Sequence, residues 1–154
     1  MESSETFAIK HFTDLRVWQK SHELYVLVYK EIEILPHTVV IRTTLDEVLH
    51  STGSISAKIA EGFNSRNRRR YVYFLDVALR STGEAENWLL KLVDCVLMER
   101  IKVQPWLDTI SEIQRMLRAM IKKLDKRNNT HIQPVVSSSS PRYVPQQNRL
   151  FHEL

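Results

Sequence analysis

The sequence predicts an all-α protein, an antiparallel up-down four-helix bundle, and three observations carry that prediction. Apolar residues recur at alternating steps of three and four along four separate stretches, the period of a buried helix face. Only three glycines and five prolines occur in 154 residues, a scarcity of turn-formers that disfavours a many-turned sandwich, barrel or doubly wound sheet. The composition, 43% hydrophobic and 26% charged, suits a single domain with one substantial core.

The first helical pattern covers residues 14–35. Leu15, Trp18, His22, Tyr25, Tyr29 and Ile32 form one face, Thr13 is placed to cap its start, and Pro36 stops it. A second stripe of Val17, Leu24 and Val28 widens the apolar surface, so burial is expected on two sides. The second pattern spans 39–64 with Leu45, Val48, Thr52, Ile55, Ile59 and Phe63, and Gly62 and Asn64 suit a C-terminal cap. The third runs over 68–99 on Leu75, Ala78, Thr82, Leu89, Val93 and Val96. The fourth uses Trp106, Ile110, Ile113, Leu117, Met120 and Leu124, with Pro105 at a first helical position.

The chain therefore divides into a polar leader (1–12), the bundle (13–127) and a tail (128–154). The tail holds Pro134, four serines from Ser137 to Ser140, Pro141, Pro145, Gln146 and Gln147, a composition too poor in apolar area to offset chain entropy. Tyr143, Leu150 and Phe151 give its end the character of a short docking motif. Within the bundle, Ser51-Thr52-Gly53 recurs as Ser81-Thr82-Gly83, equidistant from Asn67. In an antiparallel hairpin these triplets face each other, with Gly53 and Gly83 thinning the helix contact.

Charge is unevenly spread beneath a net value of +4. By segment it is −3 over 1–57, +4 over 58–70, −3 over 71–114 and +6 over 115–154. Two basic patches thus sit on an acidic body. No stretch approaches the roughly 20 uncharged apolar residues of a membrane span, and the first residues lack the pattern of a secretory signal, so a cytoplasmic location without membrane contact is expected. The single Cys95 lies in an apolar pattern and reads as a small core residue.

Ser54-Ile55-Ser56-Ala57-Lys58-Ile59-Ala60-Glu61-Gly62 resembles the Ser-Ile-x-x-Asn-Ile-Ala-Glu-Gly signature of the four-helix-bundle proteins encoded in intervening sequences of bacterial 23S ribosomal RNA genes, with Lys58 in place of Asn. The resemblance extends upstream to Phe12-x-Asp14-Leu15-x-Val17-Trp18-Gln19-Lys20. Downstream it continues through Tyr73-Phe74-Leu75-Asp76-Val77-Ala78-Leu79-Arg80-Ser81-Thr82-Gly83-Glu84-Ala85-Glu86, where Arg80 replaces Gly. It implies a bundle that assembles as a cyclic homo-oligomer, a homopentamer, as do the similar accessory variability determinants of diversity-generating retroelements. Those accessory proteins bind a reverse transcriptase and nucleic acid through basic surface. Ser54, Lys58, Glu61, Gly62, Ser81 and Glu84 are the structural residues of the shared motifs, and Glu61 and Glu84 are expected near the core, paired with Arg or hydrogen-bonded to Ser54 and Ser81.

Catalytic or metal chemistry finds little footing. Glu47-Val48-Leu49-His50 has the Glu-x-x-His spacing of di-iron bundles, but a second copy is missing. Arg127-Asn128-Asn129-Thr130-His131 is one residue short of the Arg-x(4–6)-His of helical ribonucleases. No nucleophile–base set, phosphate loop, metal site or cofactor motif stands out, so a non-enzymatic protein is expected.

The strongest functional feature is the turn Arg66-Asn67-Arg68-Arg69-Arg70-Tyr71, with Tyr73 nearby. Guanidinium groups hold phosphates bidentately and an adjacent aromatic stacks on an unpaired base, a combination suited to RNA or single-stranded DNA. Arg115, Arg118, Lys122, Lys123 and Lys126 add a basic stripe on the fourth helix. The expected function is an oligomeric nucleic-acid-binding accessory protein, for RNA foremost, with a reverse transcriptase as a candidate partner. The alternative is a structural or protein-interaction bundle whose arginines are merely solvated.

Overall fold

A computed structural model describes residues 8–126, and all of the regular structure among them is helical. A short 3-10 turn, Phe12–Asp14, precedes α1 (Arg16–Ile32), α2 (Val39–Phe63), α3 (Arg68–Asp94) and α4 (Arg100–Asp125). The tail motif and the Arg127–His131 segment lie outside the described residues.

The chain enters the bundle through local polar chemistry. The Asp14 carboxylate accepts hydrogen bonds from the backbone N–H of Lys10 at 3.0 Å and of His11 at 2.9 Å, and these hold its pKa below the usual carboxylate value. Thr13 does not cap α1: its hydroxyl pairs with His11 Nδ1 at 2.8 Å, while Leu15 occupies the N-cap without a side-chain bond. α2 and α3 are capped conventionally, whereas Glu99 at the start of α4 makes no side-chain cap bond. Thr38 Oγ1 accepts from Ile41 N–H at 3.4 Å, and Asn67 Oδ1 accepts from Arg70 N–H at 2.9 Å.

Packing selects the narrower of the two stripes on α1. Leu15, Val17, Ser21, Leu24, Val28 and Ile32 are buried, whereas Trp18 and Tyr25 are half-buried and His22 and Tyr29 exposed. The aromatic stripe therefore lies on the outer flank, with Trp18 and His22 stacked at 4.7 Å and 9°. Ser21 completes the buried stripe because its hydroxyl donates to the Val17 carbonyl at 2.7 Å, leaving no unpaired polar group. Ser51, Thr52, Ser81 and Thr82 are buried by the same device, each hydroxyl donating to a carbonyl three or four residues earlier.

The cores of α2, α3 and α4 follow the expected stripes except at their ends. Phe63, Met120 and Leu124 are only half-buried, and α3 stops at Asp94 rather than 99. Its end is a Schellman arrangement: Leu97 N–H donates to the Leu92 carbonyl at 2.9 Å and Val96 N–H to the Val93 carbonyl at 3.0 Å. Val96 stands at φ 59°, the left-handed conformation that usually calls for glycine. Cys95, at the C-cap, is exposed instead of lying in the core, and Val96 is 76% exposed. Pro105 lies inside α4 rather than at its start, because Glu99 begins the helix one and a half turns earlier. Similarly, Gly62 lies within the last turn of α2, and Asn64 is the C-cap at φ −81°, so no left-handed cap forms there.

Glycine marks a close approach of two helices at one position. A Cβ on Gly62 would lie 2.9 Å from Phe74 Cβ and 3.0 Å from Tyr71 Cδ2. Gly53 faces Tyr25 at 3.2 Å, while Gly83 is exposed with nothing within 4 Å, so it thins no contact. Between elements, Lys20 Nζ meets Glu112 Oε2 at 2.8 Å, Lys102 meets Glu31 at 3.6 Å, and Gln114 donates to Glu86 at 3.3 Å. The Lys20 hydrogen bond keeps the Glu112 carboxyl below its ordinary pKa, with Arg16 and Arg115 adding to the effect.

Two stability predictions follow from this backbone. Gly62→Ala is expected to cost about 1–3 kcal/mol through overpacking, while Gly83→Ala gains about 0.5–1 kcal/mol from reduced chain entropy; urea unfolding of the two variants beside the wild type measures both signs. Val96→Gly relieves the left-handed residue and is expected to add about 0.5–1 kcal/mol, seen as a rise in thermal midpoint.

Candidate nucleic-acid interface

Four residues, 64–67, connect α2 to α3, and local hydrogen bonds fix their course. Ser65 donates through both its N–H, at 3.0 Å, and its hydroxyl, at 2.6 Å, to the Gly62 carbonyl. Asn67 then caps α3. The arginines emerge from this turn: Arg66, Arg69 and Arg70 are exposed and Arg68 is half-buried. Among the described residues none of the four is in a salt bridge. They crowd the positive end of the α3 dipole, where cations are unfavourable and an anion is favoured.

Packing of α2 against α3 brings residues from both sides of the turn around one ring. Phe74 is 8% exposed, with Lys58 Nζ and the Arg70 guanidinium each 5.8 Å from its centroid. Glu61 closes the arrangement, its Oε2 accepting from Lys58 at 2.7 Å. An open depression of about 660 Å³ results, lined by Glu61, Asn64, Ser65, Arg66, Asn67, Arg70 and Phe74. Phe74 and Asn64 join the expected interface residues here, the one known from sequence only within the family-like stretch and the other only as a helix cap. The cations around Phe74 come from positions 58 and 70, too far apart along the chain for a local charge pattern to reveal them.

Tyr71 has a different role from the stacking one expected. It is half-buried, meets Phe63 edge-on at 6.4 Å, and packs against Gly62; burial pushes its phenol pKa up. Tyr73 is 58% exposed although it meets Phe74 edge-on at 5.3 Å, and it is the more exposed of the two tyrosines beside the arginines. On α4 and its C-cap, Arg115, Arg118, Lys122, Lys123 and Lys126 are all exposed, and none is in a salt bridge among the described residues. Lys122 and Lys123 sit in the last turn, where the helix dipole favours cations.

The motif carboxylates are further out than expected. Glu61 and Glu84 are both exposed, because the core faces of their helices are filled by Ile55, Ile59 and Gly62 and by Thr82, Ala85 and Leu89. Glu61 pairs with Lys58 rather than with Arg or Ser54, and Ser81 gives its hydrogen bond to the Val77 carbonyl at 3.1 Å. Ser54 is half-buried and lines a second groove of about 440 Å³ with His22, Tyr25, Leu49, His50, Gly53, Ser56 and Ala57. No group of three or more potential metal-ligating side chains occurs among the described residues, and His50 is exposed in that groove. No helix among them is long and apolar enough to cross a membrane.

The 23S rRNA-intervening sequence protein pattern matches residues 13–119, from the 3-10 turn into the last third of α4. The chain belongs to this family. A crystal structure of a protein of unknown function from the S23 ribosomal protein family of Bacteroides thetaiotaomicron is similar, with a TM-score of 0.62 and 25% identity over 69% of this chain and 98% of that one. No curated protein sequence matches significantly. The family match covers the arginine turn, Phe74, Arg115 and Arg118, and stops short of Lys122, Lys123 and Lys126.

The roles of Tyr71 and Tyr73 in this family member are separable by experiment. Tyr71→Ala is expected to cost about 2 kcal/mol or more because it empties the space between Gly62 and Phe63, while Tyr73→Ala stays within about 0.5 kcal/mol of wild type; denaturant melts of both report the contrast.

Proposed function

We propose that the protein is a nucleic-acid-binding accessory protein, RNA being its first ligand class, and that it acts by binding rather than by catalysis. One observation carries this reading: Arg66, Arg68, Arg69 and Arg70 share one turn at a helix N-terminus with no carboxylate in a salt bridge to any of them among the described residues. Charges held together in that way repel one another and are relieved by phosphate. The exposed Tyr73 beside them offers a base a stacking face, which favours unpaired nucleotides over duplex.

An antiparallel up-down order belongs to the same reading. It is supported by Gly62 against Tyr71 and Phe74, Lys102 against Glu31, Lys20 against Glu112, and Gln114 against Glu86. In that order α4 runs from the Gln114 contact back toward the arginine turn, so Arg118, Lys122, Lys123 and Lys126 extend the basic end of the bundle. Assembly as a cyclic homo-oligomer, a pentamer, is supported by the aromatic flank of α1, where Trp18, His22, Tyr25 and Tyr29 remain partly or fully exposed. Each patch is then repeated once per subunit, multiplying the field and adding avidity. A cytoplasmic setting and a reverse transcriptase as protein partner complete the reading by analogy with the accessory proteins the sequence resembles.

The same aromatic flank favours a second reading, an interaction module that contacts other proteins and no nucleic acid. Binding to single-stranded RNA measured across salt separates the two. Contact with four phosphates gives a slope of about −3 in log affinity against log salt, and replacing Arg68, Arg69 and Arg70 together by Ala reduces its magnitude by about 2. Salt-independent binding, or none, selects the interaction module. Light scattering at micromolar concentration is expected to show a mass several times that of one chain, and a monomer overturns the assembly.

A further inference from the structure

The geometry points to the depression at the α2–α3 turn as a pocket for one unpaired guanine nucleotide, with Glu61 reading the base edge and Arg66 and Arg70 holding its phosphate. This rests on the nucleic-acid reading above and narrows it to a base. The starting point is a carboxylate in an unexpected place. A cleft built only for phosphate has no use for an anion, yet Glu61 lines the same depression as Arg66 and Arg70. It is exposed, and only its Oε2 is engaged, by Lys58 at 2.7 Å. Oε1 makes no hydrogen bond among the described residues, and Oε2 keeps a second lone pair.

The neighbouring groups divide into those already committed and those still available. The Asn67 side chain accepts from Arg70 N–H, and the Ser65 hydroxyl donates to the Gly62 carbonyl. Neither helix-capping group is needed for a ligand, so the site does not depend on the α3 N-terminus. Available are the Glu61 carboxylate, the Asn64 carboxamide and the guanidiniums of Arg66 and Arg70. Arg70 is steadied by the Phe74 ring 5.8 Å from its carbon, which limits the rotamer freedom lost on binding. The mostly buried Phe74 gives the depression an apolar floor.

Donor arithmetic selects the base. A carboxylate only accepts, and guanine alone among the four RNA bases presents two adjacent donors, N1–H and the N2 amino group, on its Watson–Crick edge. Adenine and cytosine offer one amino group beside an acceptor, which the carboxylate repels; uracil offers one N–H between two carbonyls. The depression's volume of about 660 Å³ falls in the range of roughly 300–1,000 Å³ typical of small-molecule sites and admits one nucleotide.

The test uses the full chain and fluorescence anisotropy with short oligouridylates carrying one central guanosine, adenosine or cytidine, beside oligouridylate alone. Wild type is expected to favour the guanosine oligonucleotide about tenfold. Glu61→Gln removes that preference while leaving the salt slope unchanged. Arg66→Ala weakens all four and lowers the slope. Because both residues are exposed, circular dichroism of each variant is expected to match wild type; a second carboxylate variant, Glu61→Ala, checks that loss of preference does not depend on the glutamine. Salt-dependent binding with no base preference, or a preference that survives Glu61→Gln, overturns the guanine pocket and leaves the nucleic-acid reading standing. No binding to any oligonucleotide at low salt overturns both.

Discussion

The close approach of α2 and α3 at Gly62 is the constraint on which the rest of the molecule depends. A methyl group there would lie 2.9 Å from Phe74 Cβ, so the absence of a side chain sets the distance between the two helices. Because they meet so closely, a four-residue connection suffices, and Ser65 and Asn67 satisfy its backbone locally. The same contact places Phe74 under the turn, where Lys58 from one helix and Arg70 from the other converge on its ring. Fold and candidate interface therefore share one geometric origin.

The core relies on hydroxyls that behave as apolar groups. Ser21, Ser51, Thr52, Ser81 and Thr82 are buried, and each returns its hydrogen to its own helix. Such residues are small, which suits close packing, and they demand no partner across the interface. The charged groups that do cross between helices, such as Lys20 with Glu112, sit at partly exposed positions where their desolvation is small. Polar pairing thus orients the helices from the rim: no charged side chain is fully buried among the described residues, although Asp94 Oδ1 and Arg100 Nη1 are individually shut off from solvent without a hydrogen-bond partner.

The legible parts of the fold were those with aliphatic side chains at helical spacing, namely the middle of α2, α3 and α4. On α1 two stripes compete, and the aromatic one is the longer in sequence although the stripe through Ser21 is the buried one; a serine gives no hydropathy signal when its hydroxyl is satisfied within its own helix. The end of α3 was hidden because its stop signal is conformational. Val96 adopts a left-handed turn with no glycine or proline to announce it, and Cys95 is carried out to solvent with it. At the interface, the arginine run was readable as charge density. Phe74 lies one turn from Arg70 on α3, but Lys58, Glu61 and Asn64 join them only when α2 packs against α3, and the outward position of Glu61 follows from which face Gly62 presents to α3.

The shortness of the α2–α3 connection also bears on the order in which the chain assembles. Closing a four-residue loop between two long helices loses little loop entropy, whereas joining α1 to α4 requires the chain to return across most of its length. A folding chain meets the Gly62–Phe74 contact early and the Lys20–Glu112 contact late. Perturbations at the α2–α3 contact then fall mainly on the rate of folding, and those at the α1–α4 seam mainly on the rate of unfolding. The seam is the kinetically loose edge of the bundle, and the aromatic flank of α1 belongs to the helix that would open first.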